Sequence, residues 1–187
     1  MLITVEIIIA IVSLAVGFWQ VCLIYAQVLG APTVYANKEA ILEGCKLAGL
    51  KKGQILIDLG CGDGRSLIIA AREFGAKGIG IERSPYCFLK SKLNVFLSGQ
   101  RNIKILFGDI QKYEKEIKKA DVIYVYLLNS VLGKIENWLF SSIGVNTKII
   151  SLAFSFPNFR PRKTKAVENL GRTTELKLYD NSAQNTI

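Results

Sequence analysis

The sequence predicts an α/β domain behind one N-terminal transmembrane helix: a mostly parallel sheet, covered by helices on both faces and finished by an antiparallel edge hairpin. Three observations predict it. An uncharged, apolar run occupies residues 7–28. Short, almost wholly apolar strands then alternate with helical stretches, the pattern of parallel strands buried on both sides. Near the end this rhythm changes to two β-like pieces joined by Leu170-Gly171-Arg172, with no helix between them, as in an antiparallel pair.

The apolar run comes first. From Ile7 to Val28 the polar side chains are only Ser13, Gln20 and Gln27. At ~1.5 Å per residue such a helix reaches roughly 33 Å, enough for a hydrocarbon core of about 30 Å. Trp19 and Tyr25 lie in its second half, Tyr25 placed for an interface. No Lys or Arg precedes Lys38, so all 24 basic residues follow the run. The positive-inside rule then puts the N-terminus outside and the following domain in the cytoplasm. A cleaved signal peptide would need a basic start, and a buried core helix would be shorter and amphipathic.

Gly30-Ala31-Pro32 punctuates the chain, and Asn37 is placed to cap a helix over 38–48. Strands are expected at 55–59, 77–82, 103–107, 122–127 and 148–154. Helices are expected at 65–74, from Pro85 to about Leu97, and at 130–143, with a short helix or turn at 111–118. Ser84-Pro85 is an N-cap followed by an N1 proline. The hairpin pieces are 163–169 and 174–180. The expected organisation is an anchor over 1–29, a connector and lead-in helix over 30–53, the α/β domain over 54–180 and a tail over 181–187.

Composition narrows the chemistry. The net charge of +9 suits anionic lipid heads, nucleic acid or acidic proteins. With no histidine, the chain has no His-based triad and no His-ligated zinc. Cys22, Cys45, Cys61 and Cys87 form no CxxC pair and read as small buried side chains; no metal site is expected.

The informative stretch is Asp58-Leu59-Gly60-Cys61-Gly62-Asp63-Gly64-Arg65, between a strand and a helix. Its G-x-G-x-G spacing lacks the later third glycine of the dinucleotide fingerprint, and no Gly-Lys-Ser/Thr follows, which disfavours a pyrophosphate. Glu82 ends the second strand, where an acid can accept both ribose hydroxyls of an adenosine. Asp109 ends the third, in Phe107-Gly108-Asp109-Ile110. Carboxyl ends of such strands line the ligand crevice, so Asp58, Glu82 and Asp109 converge on one edge. Three carboxylates suit a ligand carrying a sulfonium and an ammonium.

These motifs resemble the cofactor-binding motifs of class I S-adenosylmethionine-dependent methyltransferases, over about residues 50 to 156. The resemblance implies a Rossmann-like sheet and S-adenosyl-L-methionine as cofactor. It implies that Asp58, Gly60, Cys61, Gly62 and Gly64 hold the methionine end, Glu82 the ribose, and Asp109 with Ile110 the adenine. A membrane helix, Gly-Ala-Pro, one helix and then the glycine motif is similar to a family of anchored protein-lysine methyltransferases. Its mitochondrial members modify the adenine nucleotide translocase and the ATP synthase c-subunit. Ala120 to Leu128 also resembles that family's fourth strand. Thr33-Val34-Tyr35-Ala36-Asn37 departs from it, keeping only the valine of Tyr-Val-Pro-Thr-Pro.

For a lysine acceptor, Tyr126 is placed to orient the amine and Asn129 to accept from it, and these are the candidate catalytic residues. The absence of Asn/Asp-Pro-Pro-Tyr after the fourth strand argues against nucleic acid. The expected partners are the lipid bilayer through residues 7–28 and a membrane protein substrate. The alternatives are a small-molecule or lipid methyltransferase on the same scaffold, and a non-catalytic cofactor-binding interaction module.

Overall fold

The structure, a computed structural model, describes residues 2–28 and 35–180, with side chains over 4–21 and 35–180. The connector up to Val34, the tail from Asn181 and the side chains of Cys22 and Tyr25 lie outside the described residues.

Helix α1 (Leu2–Val28) is exposed along its apolar stretch, from Thr4 to Val21. Helix α2 (Lys38–Ala48) starts where Asn37 accepts from the Ala40 N–H at 2.8 Å. Then come β1 (Ile55–Leu59), α3 (Arg65–Phe74), β2 (Lys77–Glu82), α4 (Pro85–Ser98) and β3 (Ile103–Phe107). A 3₁₀ turn (Ile110–Tyr113) runs into the short α5 (Glu114–Ile117). They are followed by β4 (Val122–Val125), α6 (Asn129–Ser142), β5 (Lys148–Leu152), β6 (Lys163–Asn169) and β7 (Arg172–Tyr179).

The sheet order is β3-β2-β1-β4-β5-β7-β6. The first five strands are parallel, and β7 runs antiparallel between β5 and β6. The chain winds outward from β1 to β3, then returns to lay β4 and β5 on the other side. The direction switches between β1 and β4, where a parallel sheet opens a crevice at its carboxyl edge. One core, with Ile41, Cys45, Leu67 and Ala70, fills one face. A second, with Ile117, Leu132, Leu139 and Tyr179, fills the other.

Helix α6, the 110–117 turn and the end of β7 lie one residue from the expectation, and three boundaries differ by two. Strand β4 stops at Val125, the last residue paired with both β1 and β5, and Tyr126 and Leu127 leave the sheet. Strand β5 stops at Leu152, because Ala153 adopts φ +66°. The hairpin turn holds only Leu170 and Gly171, at φ +54° and +73°, so β7 starts at Arg172. Two positive φ values in a two-residue loop match the twist of the flanking strands.

Gly80 shows how tightly the crevice floor is packed. It pairs with Asp58 across β1 and β2. A Cβ at Gly80 would stand 2.6 Å from Cys61 Sγ and 2.7 Å from Leu67 Cδ1. Gly80→Ala is therefore expected to destabilise the domain by about 1–3 kcal/mol, the cost of overpacking. Urea denaturation measures it, with Gly133→Ala as control, whose Cβ meets only Pro157 at 3.4 Å or beyond. Equal midpoints for the two variants would contradict the expectation.

Candidate active site

The carboxyl ends of β1, β2, β3 and β4 surround a cavity of about 400 Å³. Asp58, Gly60, Cys61, Gly62, Glu82, Asp109, Ile110 and Tyr126 line it together. Gly64 and Asn129 are not in this lining. Gly64, at φ +79°, opens α3 and lets α4 approach: a Cβ there would lie 3.3 Å from Ser91. Asn129 begins α6 and turns its Oδ1 to accept from the Ser155 N–H at 3.1 Å.

The turn after β1 runs through three glycines with positive φ: Gly60 at +78°, Gly62 at +57° and Gly64 at +79°. Side chains with a Cβ rarely adopt that backbone. The turn presses its Gly62 N–H onto the Glu82 Oε2 at 2.8 Å, and the Ser84 N–H donates to the Oε1 at 2.8 Å. Glu82 is thus fixed in orientation, and its remaining lone pairs are free for a ligand. Burial pushes its carboxyl up, while N–H donation from Ser84, Gly62 and Arg83 pulls it down.

Asp58 is buried behind the turn and accepts from the Ser66 hydroxyl. Burial pushes it up to about 7; the Ser66 hydrogen bond lowers it, and the charges of Glu82 and Asp63 raise it. No described Lys or Arg forms a salt bridge with Asp58 or Glu82. Tyr124 also lines the cavity, and its buried hydroxyl has no partner. Asp109 caps the 3₁₀ turn through the Gln111 N–H at 3.1 Å and stands 4.0 Å from Arg83. Burial holds the thiols protonated, Cys45 near 12 and Cys61 well above its ordinary value, so neither is a nucleophile.

Sequence reasoning missed one wall. Tyr35 and Ala36 line the cavity, clamped by Arg65. The Arg65 guanidinium lies 4.4 Å from the Tyr35 ring centre, donates to the Ala36 carbonyl at 3.3 Å, and pairs with Asp63 at 2.8 Å. Lys90 donates to the Tyr35 hydroxyl at 3.4 Å. The available signal was an aromatic residue just ahead of a capped helix, with an arginine closing the glycine motif. Tyr126, Leu127, Leu128, Val131 and Phe154 add aromatic and apolar lining. The Tyr126 hydroxyl accepts from the Asn169 amide at 3.3 Å.

A cavity with two unpaired carboxylates, an orphan tyrosine hydroxyl and a glycine floor fits a ligand that is cationic at one end and carries hydroxyls. With the strand order above, this defines a class I methyltransferase that uses S-adenosylmethionine. Residues 58–163 match the family described as the ANTKMT methyltransferase domain, and the chain belongs to that family. It is 26% identical, over 79% of its length and 92% of the relative's, to a protein-lysine N-methyltransferase of Saccharolobus islandicus. It is 25% identical to the adenine nucleotide translocase lysine N-methyltransferase of Mus musculus, over 71% of this chain and 57% of that protein. A crystal structure of an RNA methyltransferase from Salinibacter ruber, in complex with S-adenosyl-L-homocysteine, superposes with a TM-score of 0.69 at 32% identity. That match covers 78% of this chain and 93% of the other.

Proposed function

We propose that this enzyme is held in a membrane by α1, with its domain on the cytoplasmic side, and methylates a lysine side chain of a membrane-associated protein. The observation that carries the reading is the two-sided cavity, acidic at the strand tips and apolar along Tyr126, Leu127, Leu128 and Phe154. The relatives named for lysine methylation support the acceptor, and the exposed apolar α1 supports the anchor.

The acidic side suits the cofactor. Asp58 would hold the methionine end beside the glycine turn, Glu82 the ribose hydroxyls, and Asp109 with Ile110 the adenine. When bound, S-adenosylmethionine supplies an electrophilic methyl group carried on a sulfonium. The chain's task is then alignment and desolvation. A lysine with a reference pKa of about 10.4 needs roughly 4.6 kcal/mol to become neutral at pH 7. The apolar wall lowers that cost by disfavouring the ammonium. The Tyr126 hydroxyl, already accepting from Asn169, keeps one lone pair for an amine N–H. It is a positioning group for the acceptor. Asn129, committed to the Ser155 N–H, orders the loop after β5 instead.

The test is radiolabelled methyl transfer to total membranes, followed by separation of protein, lipid and RNA. The expected result is label on one small protein, recovered as methyllysine. Label confined to lipid would favour the small-molecule reading. Label confined to RNA would move the substrate to that of the Salinibacter ruber relative. Donor binding without transfer to any fraction would favour a non-catalytic module.

A further inference from the structure

Helix α4 is built inside out. Its buried face is small and partly polar: Cys87, Ser91 and Val95. Its outward face carries Leu89, Leu93, Phe96 and Leu97, which are 54%, 56%, 80% and 71% exposed. These positions follow the i, i+4, i+7, i+8 spacing of one helical stripe. A soluble helix turns its large apolar residues to the core, so a stripe of four facing outward marks a contact surface.

Two features say what covers it. The first is continuity with α1: the Trp19 ring lies 5.9 Å from that of Tyr86, which is three residues ahead of Leu89 on the same stripe. The apolar surface of α1 therefore runs on into α4. The second is charge. From Arg83 to Gly108 the chain carries Arg83, Lys90, Lys92, Arg101 and Lys104, and no acidic residue. Lys92 stands exposed within the apolar stripe, with its ammonium 5.5 Å from the Phe88 ring. Apolar side chains ringed by lysine and arginine are the composition of an interfacial helix on an anionic lipid surface.

We propose that α4 is a second membrane contact, lying in the headgroup layer of an anionic bilayer with Leu89, Leu93, Phe96 and Leu97 inserted. The proposal rests on the reading of α1 as the anchor. It ties the bilayer to the site, because α4 also supports the glycine turn: the Asn94 amide donates to the Asp63 carbonyl at 2.9 Å. The N-terminus of α4 adjoins Arg83 and Ser84, both part of the cavity lining. The cavity is thereby held beside the headgroups.

The test uses the full chain in vesicles of phosphatidylcholine and phosphatidylglycerol containing nitroxide lipids. In a Cys22→Ala background the remaining thiols are buried, so single labels can be placed by Leu14→Cys, Phe96→Cys or Thr164→Cys. Thr164 is exposed on β6, at the sheet edge opposite β3. The expected result is strong loss of emission at 14 and at 96, with the loss at 96 several-fold greater than at 164. The difference should shrink in phosphatidylcholine alone. Quenching at 14 with 96 no different from 164 overturns the docking and leaves the anchor standing. Quenching at none of the three takes down the anchor, and the docking with it. A label at 96 shielded from aqueous iodide yet untouched by nitroxide lipid means that a protein covers the face, and also overturns the proposal.

Discussion

Replacing Glu82 by alanine weakens S-adenosylmethionine binding by about ten- to a hundredfold. The carboxylate is held by the Gly62 and Ser84 N–H groups, so its free lone pairs point in a fixed direction. Hydrogen bonds to a charged acceptor are worth roughly 1.5–3 kcal/mol, which sets the size of the loss. The substitution also strips the Gly62, Ser84 and Arg83 N–H groups of their partner and loosens the glycine turn. Titration calorimetry with donor and with S-adenosylhomocysteine separates the two effects. Glu82→Gln keeps an oxygen for one N–H and is expected to fall between alanine and the native residue. Unchanged affinity in the alanine variant would remove Glu82 from the ligand's contacts.

Asp58→Asn is expected to stabilise the ligand-free chain at pH 8 while cutting donor affinity about tenfold or more. Burial first, then the neighbouring charges of Glu82 and Asp63, push the Asp58 carboxyl up to about 7, against the lowering hydrogen bond from Ser66. The folded state thus holds this proton more tightly than the unfolded chain. The associated stability is complete below about pH 4 and is lost as pH rises through about 7, an effect of at most about 4 kcal/mol. The neutral amide avoids the loss, so a gain of about 1–3 kcal/mol should show at pH 8 and fade towards pH 5. A gain of the same size at both pH values would mean that ionisation is not its source. The ammonium of the ligand should draw the Asp58 proton off, so native binding should release protons near pH 7 and strengthen between pH 6 and 8. Calorimetry in buffers of different ionisation enthalpy reads that release directly.

Much of the sheet was legible because its signals are local. The limits of α2, β1, α3, β2 and β3 coincide with the expected ones, each set by an apolar run and a cap or glycine beside it. The ends of β4 and β5 were not legible. Tyr126 and Leu127 continue an apolar run, yet the strand stops where the pairing with its neighbours stops. Nothing about an alanine announces the positive φ of Ala153. In the site, Asp58, Glu82 and Asp109 could be read from their places at strand tips. Tyr35 and Arg65 could not, since their contact needs the lead into α2 to fold back over the glycine turn. Helix α4 was legible as a helix but not in the sense of its faces. Both faces hold apolar residues, and only the packed domain decides which one is left outside.

The same Tyr35 that walls the cavity begins only seven residues after the last residue of α1. Seven residues span at most about 25 Å even when fully drawn out. On the proposed seating of α1 in lipid, the enzyme is held on a short leash, and the leash acts as a ruler. On that reading, lysines at one modest height above the lipid are expected to be within range. The same side chain on the crown of a tall complex is expected to stay unmodified, however well its local sequence matches.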